Sequence, residues 1–237
     1  MTTTQSASRT ARERARAELT REIKEEARRQ LATQGASGLS LRAVARELGM
    51  VSSALYRYFR SRDELLTALI IDAYDALGAA AEEASSGRPA ADIRGRWRAV
   101  CTAVRDWAVA NPHEYALIYG SPVPGYQAPQ ATVTSAIRVA RVMGAILADA
   151  QPGTGRAAAR HPEGPLPPRL AQQVAIVAEA IAPGVDDGVL IRGLIAWTQL
   201  FGMISFELFG QFVGSLEPAD PFFGYTLERM ADYIGLT

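Results

Sequence analysis

Arg42 and Arg57 carry the most specific chemistry in a stretch otherwise rich in small and apolar residues, LSLRAVARELGMVSSALYRYFRSRDELL, from Leu39 to Leu66. A guanidinium is a planar, permanently charged fork of donors, and it matches the paired acceptors on the major-groove edge of guanine. Ser52, Ser53 and Ala54 add little bulk, which would let a helix come close to base edges. Ser40, Tyr56, Tyr58 and Arg62 bring hydroxyl and guanidinium donors suited to phosphate oxygens, contacts that fix register without reading sequence. Tyr56 has a second reading, a ring packed in a core with its hydroxyl in water.

These side chains act together only if short helices present them on one side. Ser40 is a favourable N-cap for a helix whose apolar positions, Leu41, Val44, Ala45 and Leu48, follow helical spacing. Gly49 ends it by taking a left-handed conformation, and Ser52 or Ser53 is placed to cap a following helix of about two turns with Leu55 and Phe59 on one face. Ser61 and Glu64 form a capping box for a long third helix carrying Leu65, Leu66, Leu69, Ala73 and Leu77. The unpaired amides at its start favour a phosphate, with Arg62 beside them. By spacing alone this is either a helix-turn-helix or two successive helices of an all-α bundle.

Leu39-Ser40, Ala43-Val44-Ala45, Leu48-Gly49, Leu55-Tyr56, Phe59 and the run from Ser61 to Leu66 together closely resemble the DNA-binding domain of the TetR family of bacterial transcriptional regulators, over about residues 15–66. The resemblance implies that the second short helix enters the major groove and that a basic residue at the position of Arg62 meets the DNA backbone. Tyr58 stands where the family commonly has histidine, keeping a donor but no positive charge.

The charge distribution agrees. The chain of 237 residues has zero net charge, yet residues 1–62 hold 13 Arg/Lys against 6 Asp/Glu and residues 63–237 hold 12 against 19. A basic first part attracts phosphates, and an acidic remainder orients the molecule on approach. Cys101 is the only cysteine, which excludes intrachain disulfides and cysteine zinc sites; a buried inert thiol is its expected state. The start of the chain lacks the apolar core of a secretion signal, so a cytoplasmic location is expected.

Residues 1–14 read as a disordered basic arm, with Arg9, Arg12, Arg14 and Arg16 tracking phosphates, entering a minor groove or simply opening a solvated helix. Ala15, Leu19, Ile23, Ala27 and Leu31 then mark one apolar stripe. Asp92 caps a helix carrying Ile93, Trp97, Val100, Cys101, Val104 and Ala108; residues 113–129 form a short helical piece and an aromatic bend. Val133, Ile137, Ala140, Gly144 and Leu147 mark another helix, residues 151–168 a mobile loop, and Leu170, Val174, Val177 and Ile181 a shorter helix. From Asp186 runs the most apolar stretch. Only 14 uncharged residues separate Arg192 from Glu207, short of the roughly 20 that span a bilayer, so a helix buried on several sides is expected, packed on its own core and on a second subunit. Leu194, Trp197, Phe201, Phe206, Phe209, Phe223 and Leu227 are the candidate dimer residues, with Gly193, Gly202 and Gly210 permitting close approach. The segment HEYALIYGSPVPGY, residues 113–126, and Trp197-Thr198-Gln199-Leu200-Phe201-Gly202 resemble the TetR-type C-terminal domain with a Trp-His-Gly signature, with Phe201 in place of the histidine.

The expected fold is all-α, a three-helix helix-turn-helix domain over 15–66 and a larger helical domain over 67–237 for ligand binding and dimerisation. The resemblance implies a homodimeric repressor, released from a near-palindromic DNA operator by a small-molecule effector. Trp97, Cys101, Tyr115, Tyr119, Met143 and Trp197 are candidate walls of an apolar effector pocket, each also readable as ordinary core. No metal or cofactor is expected. An enzyme is disfavoured: His113 and His161 are the only histidines, no nucleophile elbow or phosphate-binding glycine loop occurs, and Asp186-Asp187 is explained by capping. A regulator without ligand and a dimeric helical scaffold are the remaining alternatives.

Overall fold

The computed structural model describes residues 2–150 and 166–236, with side chains from Ala11 onward. Most of the loop expected over 151–168, with His161, lies outside the described residues. Among those described, every regular element is helical: α1 (Thr2–Gln34), α2 (Leu41–Glu47), α3 (Ser52–Leu55), α4 (Arg62–Ser86), α5 (Ile93–Ala110), α6 (Pro112–Tyr119), α7 (Val133–Ala136), α8 (Arg138–Asp149), α9 (Pro168–Ile181), α10 (Asp187–Leu208) and α11 (Asp220–Ile234), with 3-10 turns at Ala36–Gly38 and Gln130–Thr132. The fold is all-α, as the sequence implies.

The chain forms two compact units, Met1–Ala73 with His113–Thr132, and Tyr74–Pro112 with Val133–Thr237. This differs from a division at residue 66. The boundary falls inside α4, and the aromatic bend after α6 belongs to the first unit.

In the first unit α1 begins at Thr2, where an irregular arm was expected, because no glycine or proline precedes Gly35 and Ala, Arg, Glu and Gln favour helix. Its apolar stripe is buried only from Ile23 through Ala27 to Leu31; Leu19 is half-buried and Ala15 exposed. Leu41, Val44, Leu55, Phe59, Leu65, Leu66 and Leu69 complete the core, each full burial being worth about 1.5–3 kcal/mol. Electrostatics bring in the distant segment. Arg28 donates from Nε to Glu114 and from Nη2 to Asp72, both at 2.8 Å, and Lys24 Nζ reaches Asp72 at 2.8 Å. The hydroxyls of Thr67 and Tyr126 are 2.8 Å apart, and fully buried Tyr115 lies against Tyr119.

The second unit is built on α10, which packs on α5, α8, α9 and α11. Its length and mean hydropathy of 1.5 would also suit a membrane span, but Leu190, Ala196, Leu200 and Ile204 are buried within the unit, and Arg192, buried too, donates to the carbonyl of Ile234. Asp92 and Asp186 cap α5 and α10 through Gly95 N and Gly188 N, as their positions suggest. Every apolar α5 residue named from the sequence is buried. At Gly144 an added Cβ would sit 2.2 Å from the Ile181 carbonyl oxygen, so α8 and the end of α9 touch through backbone.

Candidate functional site

The helix-turn-helix is assembled from local bonds. Ser40 Oγ accepts from Ala43 N and opens α2. Gly49, at φ +64°, closes it: Met50 N donates to Ala45 O at 2.8 Å and Gly49 N to Arg46 O at 3.1 Å, the paired bonds of a left-handed helix end. α3 then starts at Ser52 after extended Val51, with no side-chain cap, so neither serine plays the capping role expected of it. It is one α turn, shorter than expected, continued as turns to Phe59 by Tyr56 N to Ser52 O at 3.1 Å and Phe59 N to Leu55 O at 3.1 Å. Leu55 and Phe59 are buried beneath it. Arg42, Ser53 and Arg57 are exposed, while Ser52, Ala54 and Tyr58 are half-buried. Tyr56 is 43% exposed, which removes the reading of its ring as core.

Arg62 has partners within the chain at this surface. Its half-buried guanidinium donates from Nη2 to Ala36 O at 2.7 Å and from Nε to Leu39 O at 3.2 Å, with Asp63 nearby at 3.5 Å. Ala36 O, at the start of the 3-10 turn, also accepts from Leu39 N at 3.4 Å, and Leu39 follows the turn as its C-cap, so Arg62 adds a charged donor to both ends of the turn. It fastens the start of α4 to the entry of α2. No local sequence signal reveals this, since the acceptors lie 23 and 26 residues away. The capping box is altered too: Glu64 N donates to Ser61 Oγ at 3.1 Å, but the Glu64 carboxylate accepts from Arg60 N at 2.7 Å. Arg16 of α1 places its guanidinium 5.6 Å from the Tyr58 ring centroid, a neighbour the sequence did not disclose.

Arginines pair with carboxylates in both units, Arg21, Arg28, Arg29 and Arg46 doing so in the first. In the second, Arg94 and Arg98 pair with Glu228, Arg96 with Asp149, Arg105 with Glu207 and Asp220, and Arg138 with Asp75 and Glu82. The hydrogen bond from Arg98, aided by Arg94, pushes the Glu228 carboxyl down to about 2. In the first, Arg42, Arg57 and Arg60 have no carboxylate partner among the described residues, so their charge is available outward. Such uncompensated charge beside small side chains is suited to a polyanion.

A cavity of about 370 Å³ opens among Ile137, Ala140 and Met143, then Val177 and Ile181 of α9, and Leu190, Leu194 and Trp197 of α10; all its lining residues are apolar. Of the six candidate effector residues, Met143 and Trp197 line it. Trp97 is core, its Nε1 donating to Leu227 O at 3.2 Å. Cys101 is fully buried, and burial pushes its thiol well above the ordinary range. Tyr115 and Tyr119 belong to the first unit. No group of three metal-ligating side chains occurs among the described residues.

The candidate dimer residues separate likewise. Phe206 and Phe209 are 53% and 48% exposed, whereas Phe201, Phe223 and Leu227 serve the chain's own core: Phe201 lies 4.5 Å from Trp197, and Arg105 covers Phe223. Leu194 and Trp197 are half-buried at the cavity. Exposed Ile195, Val213 and Tyr225 were missed by sequence reasoning. Gly193 abuts Leu147 within the chain, Gly210 takes a positive φ past the end of α10, and Gly202 alone of the three faces open space.

Comparison with known proteins agrees with this architecture. The family described as "Bacterial regulatory proteins, tetR family" matches residues 23–69, and "Tetracyclin repressor-like, C-terminal domain" matches residues 97–230. The chain is 41% identical over 198 residues to the HTH-type transcriptional regulators Rv1816 of Mycobacterium tuberculosis and Mb1846 of Mycobacterium bovis, covering 84% of each chain. The crystal structure of regulatory protein SCO4313 matches with a TM-score of 0.76 and 34% identity, covering 93% of this chain and 98% of that one. The TetR family regulator PfmR of Thermus thermophilus shares the fold, with a TM-score of 0.56 at 20% identity over 91% of this chain and 98% of its own. The chain therefore belongs to the TetR family of helix-turn-helix transcriptional regulators, and is not an enzyme.

Proposed function

We propose that this regulator is a cytoplasmic homodimeric repressor that binds a near-palindromic operator and leaves it when a small apolar effector occupies the second unit. The observation that carries the effector reading is the cavity of about 370 Å³ walled only by apolar side chains from three successive parts of that unit, which fits a compact hydrophobic ligand with few polar groups. A ligand that binds one conformation better by a few kcal/mol suffices to shift the DNA-competent population. Arg42 and Arg57 read bases, and Tyr56 and Ser40 hold phosphates. Two recognition elements related by a two-fold axis then demand half-sites about one helical turn apart. The exposed aromatic face around Phe206 and Phe209 supports pairing of two copies.

Fluorescence anisotropy on DNA upstream of the regulator's own gene, with scrambled competitor, tests the reading. Wild-type protein binds selectively; Arg57→Ala loses about 1–3 kcal/mol of preference for the favoured sequence, whereas Tyr56→Phe weakens all sequences alike. Equal losses on every sequence for Arg57→Ala would remove it from the reading set. A panel of lipophilic compounds is then screened for release of DNA, and Ala140→Trp, which fills the cavity, abolishes that release while leaving DNA binding intact. Release that persists in Ala140→Trp would place the effector elsewhere.

A further inference from the structure

We propose that α1 carries a second phosphate-binding element, centred on Arg12 and Arg16, which lies outside the helix-turn-helix and lengthens the DNA footprint beyond the recognition helix. The inference rests on the chain being a DNA-binding regulator and adds a site to that reading. Along the rest of α1 each basic side chain is matched by a carboxylate: Arg21 by Glu18 and Glu25, Lys24 by Asp72, Arg28 by Asp72 and Glu114, and Arg29 by Glu26. Arg12, Arg14 and Arg16 have no carboxylate partner among the described residues, and Glu13 is the one acid between Ala11 and Ala17.

This part of the helix also has no core to serve. Residues 11–18 are all exposed, and burial begins only at Leu19. Like charges one turn apart disfavour an isolated helix, so Arg12 and Arg16 are a liability unless an anion lies beside them. Their position sets them beside the DNA-reading surface: the Arg16 guanidinium sits 5.6 Å from the ring centroid of Tyr58, just past the recognition helix. Arg12 lies one turn further, about 6 Å along the axis on the same face. Arg14 is turned about 200° away from both. The match to the DNA-binding family begins at residue 23, after both arginines.

The test uses the full chain and two duplexes, one of mixed sequence and one enriched by the wild-type protein from a random pool, in anisotropy titrations over a salt series. R12A/R16A is expected to flatten the slope of log affinity against log salt by about 1.8 per protomer on both duplexes, without changing the preference between them. R12K/R16K keeps the wild-type slope and Arg14→Ala changes it little. Hydroxyl-radical footprinting loses protection of the flanking phosphates only in R12A/R16A. Circular dichroism checks that helix content is retained, as alanine substitution should ensure. An unchanged slope in R12A/R16A, or an equal loss in Arg14→Ala, would overturn the proposal while DNA binding by the wild type stands. Failure of the wild-type protein to bind either duplex would instead overturn the reading beneath it.

Discussion

Arg62→Ala separates a structural fastening from a phosphate contact. The guanidinium makes two charge-assisted hydrogen bonds to the carbonyls of Ala36 and Leu39, and its side chain is 30% exposed. At such a partly solvated site each bond is worth about 1–1.5 kcal/mol, so truncation should destabilise the first unit by ~2–3 kcal/mol. For a unit of roughly 90 residues that is a fall of roughly 10–20 °C in melting temperature. The two units can be followed separately. Trp97, Trp107 and Trp197 all belong to the second unit, so tryptophan fluorescence reports that unit while far-ultraviolet circular dichroism reports all helices. The variant should show an early loss of ellipticity that fluorescence does not follow, and weaker binding to every duplex as α2 loses its anchor. The salt slope should stay at the wild-type value, because no phosphate contact is removed. Arg62→Lys should not rescue, since an ammonium cannot reproduce the planar fork that spans both carbonyls. An unchanged melt together with a slope shallower by about 0.9 would refute this account and restore Arg62 to the DNA backbone.

Glu228 holds α11 to α5 through Arg94 and Arg98, and its carboxyl is lowered from the ordinary 4.5 to about 2. A lowered carboxyl stabilises the fold fully above its ordinary value and loses that contribution as pH falls from about 4.5 to about 2. Acid titrations followed by tryptophan fluorescence should therefore lose stability over that window less steeply in Glu228→Gln; identical curves would remove Glu228 from the acid response. The buried Cys101 thiol should resist an aromatic disulfide reagent in the native protein and react once the chain is unfolded in urea, whereas rapid native reaction would mean an open α5 core. Phe206→Arg should shift the protein toward monomer in sedimentation while preserving its melt. Leu227→Ala should leave association intact and cost about 2–5 kcal/mol; the reverse pattern would exchange their assignments.

Much of the fold was legible because its signals are local. Ser40, Asp92 and Asp186 act as caps where their positions suggest, Gly49 turns the chain where a residue of positive φ is needed, and the α4 and α5 stripes bury the residues their spacing names. Beyond the local scale those signals give out. α1 is helical from Thr2, but periodicity alone does not tell that residues 11–18 stay exposed while the stripe from Ile23 meets a core. Tyr115 and Tyr119 looked like neighbours of Trp97 and Cys101, yet Arg28, bridging Asp72 and Glu114, draws their segment into the DNA-binding unit.

The sequence by itself determined the all-α class, the helix-turn-helix at residues 39–66, the basic and acidic halves and the family. These rest on caps, turns, spacing and charge, which act within a few residues or simply add along the chain. Only the tertiary structure decided that Arg62 serves two backbone carbonyls, that Arg16 meets Tyr58, and that Phe206 faces outward while Phe201, Phe223 and Leu227 face inward. A helix apolar on nearly all sides carries no mark of which side its own core will cover, and a guanidinium does not disclose whether a carbonyl, a ring or a phosphate will come to meet it. Those partners arrive from distant parts of the chain, and packing alone brings them together.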